Sequence, residues 1–270
     1  LRNPLNLQAY LFDLDGTIYL EDQLLPGVIE IISYVRAQNK KLMFITNTSI
    51  KTRVCIQKSL ANLGLQVDLS EIMTAAFLAA QYFYETNRDA NVFVVGSEHV
   101  FQELKTFHIR VTNNPLEATH VLVGLDKTFS YKKLHECMQA IQSGAQLVEI
   151  NPDSFCPIQG DRIPDTGSLV KAIEVATDTK ATVTIGKPSY YYIHKVMLSL
   201  CLQPEECLVI GDRLDTDILF GKQANMRTAL VLTGVTSYEM AMKSVLKADI
   251  IVGTVKELHK QLHLDVRKKV

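Results

Sequence analysis

An excess of charge of either sign is missing from this sequence: 28 Lys and Arg stand against 29 Asp and Glu, a formal net charge of -1 over 270 residues. With no net field to draw it there, the chain is expected to bind neither nucleic acid nor an anionic membrane surface. Apolar runs are all short, and none approaches the roughly 18 residues of a membrane span. The opening stretch LRNPLNLQAY also lacks the charged-then-apolar pattern of a secretory leader. The five cysteines, Cys55, Cys137, Cys156, Cys201 and Cys207, are odd in number and widely spaced, with no CxxC and no Cys/His metal spacing. They read as thiols in a reducing compartment, so the expected location is the cytoplasm. No GxGxxG follows the first apolar run, which removes the usual sign of a dinucleotide-binding enzyme. No Pro-, Gly- or Ser-rich linker divides the chain, and no repeat is visible.

What is present is alternation. Short apolar runs of strand length recur: AYLFDLD, KLMFITN, NVFVVGS, HVLVGL, QLVEIN, ATVTIG, ECLVIGD, TALVLTG and ADIIVG. Between them lie segments with apolar residues at helical spacing, among them VIEIISYVRAQ, TRVCIQKSLANLG, YKKLHECMQAIQSG and SLVKAIEVATD. The pattern predicts an α/β fold with largely parallel, buried strands. If two domains share the chain, the lack of a linker predicts that one is inserted into the other. QYFYETNRDAN and DTKATVT are the expected crossing points, giving a core of residues 1–81 and 184–270 and an insert of 82–183.

The chemistry gathers at strand ends, where open parallel sheets bind their ligands. The first run ends in LFDLDGT, the second in FITNTS, a later one in TIGKPS and the next in LVIGDRLDTD. A carboxylate can attack phosphorus, which makes Asp13 or Asp15 a candidate nucleophile. The pleat would point both to one side, and Gly16 allows a sharp exit from the strand. Asp212 and Asp217 could complete an oxygen-rich site for a hard cation such as Mg2+. Thr46 and Asn47 can hydrogen-bond phosphate oxygens, and Lys187 supplies a fixed positive charge. Singly, a DxD, a TNT or a GKP is more often a turn or a cap. Together, in this order and each at a strand end, they match a phosphoryl group.

DLDGT, TN, K and GDRLDTD in that order resemble the four motifs of the haloacid dehalogenase-like phosphohydrolases. ITNTS, GKPS, GDRLDTDILFGKQANM and VLTGVTS resemble the branch of NagD-type sugar phosphatases, 4-nitrophenylphosphatases, phosphoglycolate phosphatase and pyridoxal phosphatase. The resemblance implies a Rossmann-like, doubly wound parallel sheet core with an inserted smaller α/β cap. It implies Asp13 as nucleophile and Asp15 as general acid and then base. Asp13, the main-chain carbonyl of Asp15, and Asp212 would bind Mg2+, with Asp217 supporting the metal from behind. Thr46 and Asn47 would hold the phosphoryl group, and Lys187 would neutralise it and orient Asp13. A proton donor two residues after the nucleophile suits phosphate esters, not haloacids.

The resemblance also makes NPDSFCPIQGDRIPDTGSLVKAI, residues 151–173, the substrate-specificity loop, with Phe155, Cys156, Pro157 and Ile158 nearest the leaving group. Pyridoxal phosphatases would carry a histidine where Cys156 stands, and the branch usually has a second Asn where Thr48 stands. Asn151 and Asp153 could hydrogen-bond a polyol or sugar, or cap the following turn. A signalling receiver domain is about half this length and has no cap; a P-type ATPase needs membrane spans; a regulatory protein that kept the fold would be expected to lose Asp13, Asp15 or Lys187. The expected activity is an Mg2+-dependent phosphatase acting on a small phosphorylated metabolite of the sugar phosphate, phosphoglycolate or aryl phosphate type. A phosphotransferase shares the motifs, and a homodimer through the cap is the expected assembly.

Overall fold

The computed structural model describes residues 7–158 and 161–267, and the side chains up to residue 262. Most of the opening stretch judged for a leader, and the side chain of Ile158, lie outside the described residues. By contacts the chain divides into two compact units. One comprises the chain up to Thr46, Gln57–Met73 and the chain from Ile193 onward; the other comprises Asn47–Ile56 and Thr74–Tyr192.

The first unit is built on a sheet in the order Ile250–Val252, Arg227–Val231, Cys207–Gly211, Ala9–Phe12, Lys41–Thr46, Ile72–Thr74. From Ile250–Val252 across to Lys41–Thr46 every neighbouring pair is parallel. Strands this apolar cannot face water on either side. All four residues of Ala9–Phe12 and all five of Cys207–Gly211 are buried, as a parallel sheet covered on both faces requires. The helix Val28–Ala37 buries Val28, Ile31, Ile32 and Val35, one stripe of a 3.6-residue repeat.

The second unit has a sheet and a core of its own. Its strands run in the order Val183–Thr184, Gln146–Glu149, His120–Val123, Asn91–Val95, Arg110–Val111, all parallel. Val121, Val123, Leu147, Phe93 and Val95 from the strands pack with Cys137 and Ala140 of the helix Tyr131–Gln142 and with Val170 and Ile173 of the helix Thr166–Thr177. Side-chain oxygens start three of its helices. Thr74 accepts from the Phe77 amide, Ser130 from that of Lys133, and Asp165 from that of Thr166. Phe155–Ile158 and Asp161–Pro164 pair as the two antiparallel strands of a hairpin. SYYYIHK opens the helix Tyr190–Leu200, in which Tyr192 is buried and Tyr190 is exposed, while the Tyr191 hydroxyl donates to Glu85 at 3.1 Å.

No disulfide joins any of the five cysteines. Among the described residues no helix is long and apolar enough to cross a membrane.

Candidate active site

The central strand stops at Phe12, and the Asp13 amide makes the last ladder-like bond, to the Ile210 carbonyl at 2.8 Å. The chain then turns in a single tight loop. The Leu14 carbonyl accepts from the amides of Thr17, Ile18 and Tyr19, and the Gly16 amide donates to the Tyr19 carbonyl. Gly16 has φ +81°, and a Cβ there would lie 2.9 Å from an Asp212 carboxylate oxygen, so glycine answers both the backbone and the space. Because the strand ends before the acids, the pleat does not set their directions: Asp13 is buried, whereas Asp15 is exposed.

The other acids are held from the neighbouring strand end. Asp212 follows Gly211, is 2% exposed, and its Oδ2 accepts from the Val235 amide at 2.6 Å; its own carbonyl accepts from the Thr236 amide. Gly234 packs against that carboxylate so closely that a Cβ would fall on it. The Thr233 hydroxyl of the same loop donates to the Gly16 carbonyl, tying this loop to the turn after Asp13. Asp217 is 1% exposed in the single π-helical turn Leu214–Ile218, where its Oδ2 accepts from the Arg213 amide at 3.1 Å. Gly211 leaves the space that the Asp217 carboxylate fills. The Arg213 guanidinium forks onto Asp215, at 3.2 and 3.1 Å.

Carboxylate oxygens of Asp13, Asp212 and Asp217 lie within 4.8 Å of one another, and all three residues are buried. At that separation and an effective dielectric constant near 20, each pair of charges repels by roughly 3.5 kcal/mol. Three buried anions at such spacing fit a cation, and an all-oxygen donor set fits a hard one such as Mg2+.

In the second unit, Asn47 and Lys187 are joined directly. Asn47 Oδ1 accepts from the Lys187 amide at 2.7 Å, and its Nδ2 donates to the Lys187 carbonyl at 3.0 Å and to Asp153 Oδ2 at 3.2 Å. Lys187 is 1% exposed. Ser49, two residues on, accepts the Leu125 amide on its hydroxyl, and its carbonyl accepts from the Ser97 hydroxyl. Asn151 caps its own turn and ties it to Asn47: its Oδ1 accepts the Asp153 amide at 3.0 Å while its Nδ2 donates to the Asn47 carbonyl at 2.9 Å. In the hairpin, Phe155 is half-buried beneath the Arg162 guanidinium, 4.5 Å from its ring centre, Cys156 is half-buried and Pro157 is exposed.

The structure thus gathers Asp13, Asp212 and Asp217 in the first unit, with Asp15 two residues from Asp13, and Asn47 with Lys187 in the second. Sequence reasoning singled out VLTGVTS only as a point of resemblance and gave its loop Thr233–Thr236 no role as a partner of Asp212. Its signal was a Thr-Gly pair straight after an apolar run, the same punctuation that marked the first acids.

A family model described as haloacid dehalogenase-like hydrolase matches residues 10–110, which contain Asp13, Asp15, Thr46 and Asn47. A second model of the same kind matches residues 184–258, which contain Lys187, Asp212, Asp217 and the loop after Val231. Chronophin of Mus musculus is 34% identical over 245 residues, covering 87% of this chain and 84% of its own. The chain belongs to the haloacid dehalogenase-like hydrolases. Within that family this hydrolase falls in the branch of NagD and the nitrophenyl phosphatases. Sugar-phosphatase AraL of Bacillus subtilis is 28% identical over 257 residues, 95% of this chain and 94% of its own. The p-nitrophenyl phosphatase from Archaeoglobus fulgidus superposes with a TM-score of 0.88 at 28% identity, covering 94% of this hydrolase and 98% of that chain. The glycerol phosphate phosphatase from Mycobacterium tuberculosis, solved in complex with magnesium, gives 0.85 at 28% identity, covering 94% and 77%.

Proposed function

We propose that this phosphoric monoester hydrolase works through an aspartyl phosphate on Asp13, using Mg2+, on small phosphorylated metabolites such as a sugar phosphate, phosphoglycolate or an aryl phosphate. The observation that carries the reading is the trio of buried carboxylates, Asp13, Asp212 and Asp217, at the end of the central strands. Asp13, the Asp15 main-chain carbonyl and Asp212 would hold the ion, with Asp217 supporting them. When bound, Mg2+ supplies positive charge against the repulsion between an attacking carboxylate and a phosphate.

Asp13 attacks phosphorus in line, the ester P–O bond breaks, and the Asp15 carboxylic acid gives its proton to the departing alkoxide. The Asp15 carboxylate then takes a proton from water, whose oxygen attacks the same phosphorus, and the bond to Asp13 breaks to release phosphate. Thr46 would hold the phosphoryl oxygens with its hydroxyl and Asn47 with its main-chain amide, since the Asn47 side chain is engaged with Lys187 and Asp153. The Lys187 ammonium would add fixed positive charge. The second unit would serve as the cap, centred on residues 82–183, and Phe155, Cys156, Pro157 and Ile158 would meet the leaving group. The protein would act in the cytoplasm, as a homodimer through the cap.

The test is phosphate release from a panel of small phosphate esters, with and without Mg2+, for the native protein and Asp13→Asn. Metal-dependent release that disappears in the variant is expected, and the ranking of esters names the substrate class. No release from any ester by a folded, Mg2+-binding protein would overturn the reading.

A further inference from the structure

The head of the 151–173 loop is bonded to the lysine segment through one side chain. Asn47 presents a full amide to the backbone of Lys187, accepting its N–H and donating to its C=O. That pairing works in only one orientation of the amide, because the N–H needs an oxygen and the C=O needs an NH2. Asp153 enforces the same orientation: an ionised carboxylate only accepts, so its Oδ2, 3.2 Å from Asn47 Nδ2, would be repelled by an inverted amide. Asn151, 1% exposed, closes the web, bonding the Asn47 carbonyl and, at 3.1 Å, the Thr166 hydroxyl. There is no slack around it. A Cβ at Gly186 would lie 2.7 Å from Asn47 Oδ1 and 2.7 Å from the Ile150 carbonyl, and one at Gly167 would strike the Pro152 carbonyl. The Gly167 amide also donates to the Asp153 carbonyl at 2.9 Å.

We propose that Asp153, resting on the function proposed above, is a positioning residue that acts on catalysis through Asn47 and Lys187, so that the substrate-reading hairpin and the lysine share one mount. The strand Phe155–Ile158 begins two residues after Asp153, and the Lys187 backbone is held by both the oxygen and the nitrogen of the same Asn47 amide. A carboxylate that merely caps its own turn would affect the hairpin alone. One that fixes Asn47 must also affect turnover.

The experiment compares Asp153→Ala, Asp153→Asn, Asn47→Ala and the double variant Asp153→Ala/Asn47→Ala, with p-nitrophenyl phosphate as probe. Asp153→Ala is expected to lower kcat about tenfold to a hundredfold, the cost of misplacing a positioned group, with KM moving less than kcat. Asp153→Asn, which keeps an oxygen for Asn47 Nδ2, should recover most of the loss. In the Asn47→Ala background Asp153→Ala should add little, because its route is already cut. Amide hydrogen exchange at Lys187, read on the same proteins without substrate, should quicken in Asp153→Ala and not in Asp153→Asn. Equal losses from Asp153→Ala in both backgrounds, or unchanged kcat, would overturn the proposal. So would unchanged exchange at Lys187. A native protein that hydrolyses no ester would fail the underlying reading and remove the proposal's catalytic half, and the exchange data would separate that outcome from a web that does not hold Lys187.

Discussion

Gly234→Ala should weaken Mg2+ binding without unfolding the protein. Gly234 does not occupy the left-handed region, so alanine brings no backbone strain; the three atoms nearest its methyl all belong to the Asp212 side chain, whose carboxylate it would overlap. To make room Asp212 must rotate, and it then gives up the 2.6 Å bond from the Val235 amide that aims it. A buried hydrogen bond to a charged acceptor contributes about 1.5–3 kcal/mol. At about 1.36 kcal/mol per tenfold, its loss corresponds to roughly a 10- to 150-fold fall in Mg2+ affinity. Calorimetric titration of Mg2+ into the native and variant proteins measures this directly. The rise in Tm at saturating Mg2+ should also shrink in the variant. An affinity within about threefold of native, with Tm unchanged in the absence of metal, would refute the idea that this loop aims Asp212 at a cation.

Further outcomes follow from Asp15, Glu174 and His120. In single-turnover measurements Asp15→Asn should slow formation of the aspartyl phosphate from alkyl phosphates by about 10²- to 10⁴-fold, and from p-nitrophenyl phosphate far less, because nitrophenolate leaves without a proton, while loss of the base slows the second step for both; equal losses in the first step on both esters would remove Asp15 from the acid role. Burial pushes the Glu174 carboxyl up, but Lys171, the Ala181 amide and Lys180 outweigh it and hold the acid down at about 2. A depressed folded value means that stability is full above the ordinary value of 4.5 and drains as the pH falls towards 2, so urea unfolding of the native protein should weaken across that window while Glu174→Gln shows a flatter profile. His120, buried in the strand His120–Val123, is held below its ordinary value of 6.5 by burial. Its contribution is present above that value and lost as the pH falls below it, and His120→Gln should flatten the unfolding profile there.

The nine apolar runs read from the sequence all became strands of the two parallel sheets, because a strand covered on both faces must be apolar throughout. What escaped was short or antiparallel. Ile72–Thr74 and Arg110–Val111 have three and two residues, too few for any period to show. The hairpin at 155–164 carries Pro157 and Pro164, which read as loop, yet the two prolines sit in a two-stranded ribbon where each strand has an edge open to solvent. QYFYET, read as the start of a domain crossing point, completes the helix Ala75–Thr86, whose buried face is made by Ala75, Ala76, Leu78, Ala79, Ala80 and Phe83 ahead of and within it. At the site, acids at strand ends were legible because charge after a buried run is costly and stands out. The supports were not: Val235 and Thr236 act on Asp212 through their amides, and every residue has one.

The bonds of Asn47 bear on recombination between relatives. A chimera that takes residues 82–183 from one phosphatase and the rest from another would divide the web between Asn47, Asn151, Asp153 and Lys187, with two of its four residues coming from each parent. Transplanting Asn47–Ile56 together with Thr74–Tyr192 keeps all of those partners from one source, and the seams then fall where the contacts thin. Substrate preference carried over in that way should arrive with turnover intact, whereas the shorter graft should bring the preference and lose the rate.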